Sequence, residues 1–397
     1  MEGNKCLTSI QPLNYEVFVG MDTDKRSIAM SVYDHTCKIE SKVMPHDGGA
    51  VVKYLNRKYS NKKIAFVYEA GPTGFGLYDA LTKEGYDCLV TSPSTVPREP
   101  AARVKTNRLD SEKLATTLRG GQIRGIRVPS EPYRHLRDLT HLRDTLVKNV
   151  IATKCRIKAL LLMKGLEFPE APPTSQWSNR VTEQLKRDPQ YEAIRFELDQ
   201  LLEILSFTHT KILQVQREVR RFCKADPDIS ESINYMTSIP GIGPITASEV
   251  LARIGDWRNL RNSREVGAFF GLVPCEYSTG DDVRRGNITR MGHQKARNML
   301  IEASWVAIRK DGELREFYKQ VYSNHNKNYA ARKAIVAVAR KLTARIYVVL
   351  KNRRQYEIRK KVIVNPSTQL RVDHEPVEMV TKIETVAPKD DSTKYRT

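Results

Sequence analysis

A chain of 397 residues with 66 Lys and Arg against 46 Asp and Glu carries a formal net charge of +20, and its isoelectric point lies near 9.6. That length allows two domains and an elongated insert with real cores, while the charge argues for a polyanionic partner, because Lys and Arg gain free energy by releasing counterions from phosphates. No stretch approaches the roughly 18 uninterrupted apolar residues of a membrane span, and the N-terminus lacks a basic-then-apolar signal pattern, so a soluble, cytoplasmic protein is expected.

From about Tyr15 to Val128 the periodicity is that of an α/β domain. Tyr15–Met21 reads as a strand, Ser27–Tyr33 as its hairpin partner and Cys37–Val43 as a third strand. Ala50–Arg57 has helical spacing, Lys63–Tyr68 is a buried-type strand, and Gly74–Glu84 a helix. Cys88–Thr91 is again a strand, and Asp110–Arg119 a helix opened by an acid. An antiparallel hairpin followed by alternating strands and helices is the RNase H/RuvC-like order. Pro129 and Pro132 then break the pattern. Leu136, Leu139, Leu142, Leu146, Val150, Ile157 and Leu160 predict one long helix, stopped by Phe168-Pro169-Glu170-Ala171-Pro172-Pro173. A second long helix is expected from Thr182 to Phe222. Two such arms form an antiparallel hairpin or an oligomerising coiled coil. Pro240-Gly241-Ile242-Gly243-Pro244 opens an all-α domain running to about Leu350, and the polar stretch from Val364 onward reads as a disordered tail. The expected domains are 1–130, 131–230, 231–362 and a tail over 363–397.

Charge and chemistry are unevenly placed. Residues 231–361 hold 25 Lys and Arg and 12 Asp and Glu, a net of +13, so this segment should carry much of a nucleic-acid surface. The six cysteines (Cys6, Cys37, Cys88, Cys155, Cys223, Cys275) include no Cys-x-x-Cys pair, which fits neither a zinc site nor a disulfide framework and suits a reducing cytosol.

Three acidic positions could converge on a metal. Asp22 ends the strand Phe18-Val19-Gly20-Met21, at a sheet rim, with Asp24 beside it as the more turn-like acid. Glu69 ends the apolar run Ile64–Tyr68, where a charge is costly unless paired or metal-bound; the Gly71–Gly74 segment after it lacks the Gly-Lys-Ser/Thr ending of a P-loop. Asp110 lies in Lys105-Thr106-Asn107-Arg108-Leu109-Asp110, which also reads as a plain helix N-terminus. The cations Arg98, Arg103, Lys105 and Arg108 just ahead of it are what a phosphodiester substrate would require.

Further along, Ile239-Pro240-Gly241-Ile242-Gly243 resembles a helix-hairpin-helix turn, in which Gly241 and Gly243 would open backbone N–H groups toward a phosphate. Ser278 and Thr279 precede Gly280, and Arg284, Arg285, Arg290 and Lys295 follow. Those cations supply what a hydroxyl attacking phosphorus needs, namely stabilisation of the transferring group. His293 is placed either to assist proton transfer or simply to hydrogen-bond within its loop.

These residues resemble the IS110/IS1111 (Piv-like) family of DNA recombinases over about residues 15–350. The shared features occur in family order: strand-Asp, Glu-Ala-x-x-x-Gly and Lys-Thr-x-x-x-Asp, then a helical insert, then Ile-Pro-Gly-Ile-Gly and Gly-Leu-x-Pro-x-x-x-Ser. The resemblance implies a RuvC-like domain whose Asp-Glu-Asp-Asp set holds Mg²⁺ and a C-terminal domain with a nucleophilic serine. It further implies a structured bridge RNA as guide, and homodimers assembling to homotetramers on donor and target duplexes. Carried over, Asp22, Glu69 and Asp110 match the first, second and fourth acids, and Asn107 stands at the third, offering an oxygen ligand without charge. Ser278 is the expected nucleophile, since a primary hydroxyl is less hindered, with Thr279 the alternate because some relatives place it directly before the glycine. Base pairing would then choose the target. The competing readings are a site-specific invertase without a guide RNA and a non-catalytic nucleic-acid-binding descendant.

Overall fold

Alternation of apolar residues along the first strand decides which layers cover it. In the computed structural model, which describes residues 7–93, 95–96, 106–172, 176–279, 282–324 and 327–358, β1 (Val17–Thr23) is buried on both faces. Val17, Val19 and Met21 face one core and Phe18 the other. It is followed by β2 (Ser27–Tyr33), β3 (Lys38–Pro45), α1 (Gly48–Tyr59), β4 (Ile64–Glu69), α2 (Gly76–Lys83), β5 (Asp87–Thr91) and α3 (Asn107–Arg119). The five strands form one sheet in the order β3-β2-β1-β4-β5. β1–β2 and β2–β3 are antiparallel, β1–β4 and β4–β5 parallel. Helices α1 and α2 cover one face through Val51, Leu55, Leu77 and Leu81, and α3 covers the other through Leu114 and Leu118. This mixed sheet, covered on both sides, fits the RuvC-like arrangement expected from the sequence.

α3 begins three residues earlier than its acidic residue suggested. Thr106 caps it, its hydroxyl accepting the Leu109 N–H at 3.3 Å, which satisfies one of the helix's orphan donors. Asn107 is therefore the first helical residue and Asp110 closes the first turn.

Next comes a helical pair. α4 (Glu131–Met163) runs out, α5 (Asn179–Arg187) and a short 3₁₀ turn (Pro189–Ile194) cross its end, and α6 (Arg195–Ala225) returns. The pairing is antiparallel: Tyr133 and Leu136 share a core with Val219 and Cys223, while Val150, Ile157 and Leu161 pack with Leu198, Leu202 and Leu205. The single helix expected over Thr182–Phe222 is in fact interrupted. Pro189 has no N–H to continue α5, Asp188 accepts the Gln190 N–H at 3.1 Å, and the Arg195 guanidinium donates to the freed carbonyls of Leu185 (3.0 Å) and Asp188 (2.7 Å).

The C-terminal region contains α7 (Pro227–Thr237), α8 (Pro244–Ile254), α9 (Ser263–Phe269), the strands β6 (Pro274–Glu276) and β7 (Arg285–Ile288), α10 (Gln294–Lys310), α11 (Gly312–Ser323) and α12 (Lys327–Asn352). It is helical but not all-α, because β6 and β7 form an antiparallel hairpin. α4 joins this region to the sheet. Arg134 on α4 grips Asp79 of α2 with two parallel hydrogen bonds of 2.5 and 2.8 Å. One turn on, Arg137 donates to the carbonyls of Ala252 (2.6 Å) and Arg253 (2.7 Å), capping the end of α8. No helix among the described residues is long and apolar enough to cross a membrane, and the expected tail over 363–397 lies outside them.

Candidate active site

Register brings two of the acids together. β1 and β4 run parallel with Gly20 opposite Val67 and Met21 opposite Tyr68, so Asp22 and Glu69 each follow the last pair on adjoining strands. Alternation fixes their direction. Phe18 and Gly20 on β1, and Ala65 and Val67 on β4, face α3, and Asp22 and Glu69 fall on that same face.

The third acid arrives on the helix. α3 runs antiparallel to β1, with Leu114 and Leu118 in the core beside Phe18 and the earlier Ser111 over Gly20. Its first turn, carrying Asn107 and Asp110, therefore lies toward the strand ends that bear Asp22 and Glu69. The approach is close enough to require glycine, because a Cβ at Gly20 would stand 2.2 Å from the Ser111 carbonyl oxygen and 2.3 Å from the Ala115 nitrogen. A line of hydroxyls also joins the helix to the sheet. Ser111 Oγ donates to the Arg108 carbonyl at 2.8 Å, leaving it to accept from Ser31 at 2.8 Å, and Ser31 in turn accepts from Ser41 at 3.2 Å. Ser31 and Ser111 are fully buried, so a missing partner there would cost about 1–3 kcal/mol. Thr23 Oγ1 and Thr73 Oγ1, 3.1 Å apart, tie the end of β1 to the loop after Glu69.

These four side chains supply only oxygen donors, which suits a hard divalent cation. They are gathered on one rim but not closed up: among the described residues, no three His, Cys, Asp or Glu side chains sit near enough to share an ion. Arg103 and Lys105 fall outside the described residues, whereas Arg108 is exposed on α3 and lies 3.7 Å from Glu112.

Ser278 and Thr279 occupy the hairpin of the C-terminal region. Glu276 pairs with Arg285 across β6 and β7, and the Tyr277 N–H donates to the Arg284 carbonyl at 2.9 Å. Ser278 is exposed, and its hydroxyl donates to Glu276 Oε1 at 3.0 Å. Arg285 Nε lies 3.6 Å from the other Glu276 oxygen. Thr279 instead exchanges backbone hydrogen bonds of 3.1 and 3.2 Å with Asp282, and Arg284 donates to the Asp282 carboxylate at 2.8 Å.

The hairpin's base is clamped by two glycines crossing. A Cβ on Gly271 (φ 64°) would meet the Met291 carbonyl oxygen at 2.3 Å, and one on Gly292 (φ 78°) the Phe269 carbonyl oxygen at 2.1 Å. Arg290 beside them also adopts a positive φ of 53°. Arg297, only 7% exposed, donates to the carbonyls of Phe270 (3.0 Å) and Met291 (3.3 Å). Sequence reasoning passed over Arg297 and Gly292, and took Gly271 only as the start of Gly-Leu-x-Pro-x-x-x-Ser; the contact between the two glycines is not local.

Two expected phosphate contacts have other structural duties. Gly241 (φ 92°) presses on α10, where a Cβ would lie 2.2 Å from the Ala303 carbonyl oxygen. Gly241 stays half-buried beside this close contact, and Gly243 is exposed at the N-cap of α8. Lys295 spans to Asp144 of α4 at 2.9 Å.

His293 caps α10, its Nδ1 accepting the Ala296 N–H at 3.3 Å, and the same nitrogen, 3.3 Å from the buried Glu249 carboxylate, could donate to it only by giving up that cap. Burial, then the Arg253 guanidinium, hold its pKa below the ordinary histidine value, against the opposing pull of Glu249. A base with a lowered folded pKa favours the fold while neutral, so this contribution is complete above about pH 6.5 and fades as pH falls below it. His293→Asn keeps a capping acceptor and should flatten the loss of urea stability between pH 7.5 and 5.5; an unchanged slope would assign that loss to other groups.

Residues 19–164 match the profile of the IS110 DEDD transposase domain, and residues 233–319 that of the transposase IS116/IS110/IS902 family. A putative transposase, y4qE, of Sinorhizobium fredii is 30% identical over 301 residues, covering 73% of this chain and 72% of the relative. The transposase for insertion sequence element IS1111A of Coxiella burnetii is 26% identical over 260 residues, 65% of this chain and 69% of the relative. The pilin gene-inverting protein of Moraxella bovis is 24% identical over 149 residues, 37% and 46% of the two chains. The two domain matches lie in family order on the acid-bearing sheet and the hairpin-bearing helical region, and the chain belongs to the IS110/IS1111 family of insertion-sequence transposases.

Proposed function

We propose that the protein is an RNA-guided DNA transposase that cuts and rejoins strands through a phosphoserine intermediate on Ser278, with Asp22, Glu69, Asn107 and Asp110 holding Mg²⁺. The observation that carries this reading is the convergence of Asp22 and Glu69, at matching register on parallel strands, with the first turn of α3. When bound, Mg²⁺ would neutralise charge on the phosphate oxygens during transfer.

The chain's own residues account for the rest. The Ser278 hydroxyl donates to Glu276, which stands beside Arg285, whereas Thr279 makes backbone hydrogen bonds with Asp282, which favours Ser278 as the nucleophile. Attack by its oxygen forms one ester bond to phosphorus as another breaks, so the number of phosphoesters is conserved and exchange needs no external energy source. Arg285 beside Glu276, and Arg284 next to it in the hairpin, would offer cations to the transferring phosphate, and Arg290 at the hairpin's base would bind nucleic-acid backbone. Arg103, Lys105, Arg108, Gly243 and the basic surface of 231–361 would bind RNA and DNA backbones. Gly241 would support that surface from behind, and Lys295 would contact phosphate only by leaving Asp144. The acids stand on the sheet and α3, and the serine on a separate hairpin whose polar contacts among the described residues are internal, which supports an active site completed between subunits of a dimer or tetramer.

Similarity to a pilin gene-inverting protein favours one alternative, a site-specific invertase working without a guide. RNA extracted from the purified protein separates the two. A discrete RNA, required together with Mg²⁺ for recombination of donor and target duplexes in vitro, is the expected result. Guide-independent recombination would establish the invertase instead, and no recombination under any condition would favour a non-catalytic descendant.

A further inference from the structure

The hairpin holds more than a nucleophile and cations. Glu276 ends β6 and Ser278 follows two residues on, just beyond the strand, where the two side chains meet, and Arg285 stands opposite Glu276 in register. The Ser278 hydroxyl donates to Glu276 Oε1 at 3.0 Å, and Arg285 Nε stands 3.6 Å from Oε2. A hydroxyl, a carboxylate receiving its proton and a cation steadying that carboxylate form the nucleophile, base and orienting group of an activated serine. The clamp of Gly271, Gly292 and Arg297 below them fixes the hairpin's base on the helical core. Structural carboxylates on exposed hairpins more often serve cross-strand pairing alone. Here, however, one oxygen faces the arginine and the other accepts the serine.

We infer that Glu276 is the general base for Ser278, with Arg285 as its positioning residue; this rests on the reading of Ser278 as the nucleophile. As the Ser278 oxygen bonds to phosphorus, its proton passes to Glu276 Oε1. The bond from phosphorus to the departing deoxyribose oxygen breaks, that oxygen keeps the electron pair, and water supplies its proton. Rejoining reverses the path, and Glu276 returns the proton to serine.

The test is single-turnover formation of the covalent protein–DNA adduct by full-length protein with guide RNA, Mg²⁺ and labelled donor duplex. Glu276→Gln keeps the size and a hydrogen-bond acceptor but not the basicity, and should slow adduct formation by about 10²–10⁴-fold, with DNA binding by fluorescence anisotropy unchanged. Glu276→Asp, which retains a carboxylate, should recover part of the rate. The Gln defect should also persist on a duplex whose leaving oxygen is replaced by sulfur, because that leaving group needs no proton and isolates the step at serine. Adduct formation at the wild-type rate by Glu276→Gln overturns the inference, as does full recovery on the sulfur substrate, which would make Glu276 an acid for the leaving group. An adduct that survives Ser278→Ala would instead overturn the nucleophile itself, a result distinguishable from either.

Discussion

Ser278→Ala is expected to reduce covalent adduct and recombinant product by roughly 10³-fold or more, because a nucleophile removed from a concerted set takes the covalent route with it. Thr279→Ala should stay close to wild type. The contrast is interpretable because both side chains are exposed on the hairpin, where substitutions usually change stability by no more than about 0.5 kcal/mol. Labelled donor duplex, guide RNA and Mg²⁺, followed by a denaturing gel, read the adduct directly. Adduct lost in Thr279→Ala and kept in Ser278→Ala would transfer the role to the residue next to Gly280. The geometry argues against that outcome, since the Ser278 hydroxyl already donates to Glu276, whereas Thr279 is held by backbone pairing with Asp282.

The pieces that sequence reasoning located well are those whose determinants are local. Strand β2 has its expected ends, Ser27 and Tyr33, because alternation and flanking turn residues are written into the segment itself. Asp22 and Glu69 were legible as strand-end acids, since a charge closing an apolar run is conspicuous. Errors came where a distant contact or a competing local bond decides. Pro189 and the Asp188 cap split what hydrophobic spacing presented as one helix. The close packing of Gly241 on α10 is a further contact that its own segment does not announce. The β6–β7 hairpin was missed because its strands are three and four residues long and exposed, so neither has an apolar alternation to betray it. Its stability comes from the glycine crossing and Arg297 beneath, and nothing in the segment's own composition announces those partners.

Gly20→Ala tests whether the seating of α3 governs the acidic set. The substitution places a methyl 2.2 Å from one backbone atom of α3 and 2.3 Å from another, and backbone cannot swing aside as a side-chain tip can. The helix must retreat, with an overpacking cost of roughly 1–3 kcal/mol or more. Asp110 travels with it, away from Asp22 and Glu69. A displacement near 1 Å at a catalytic centre costs on the order of 10² in rate, so recombination should fall by that factor or more and need higher Mg²⁺ for its half-maximum. Ser31→Ala serves as the control. It breaks the hydrogen bond to Ser111 at about 1–3 kcal/mol yet adds no volume, so the helix keeps its seat and the Mg²⁺ requirement should barely move. Urea unfolding of both variants separates stability from positioning. Should Gly20→Ala lose stability while its Mg²⁺ dependence matches that of Ser31→Ala, the first turn of α3 is not a ligand-bearing element, and the metal must be sought among residues of the strands alone.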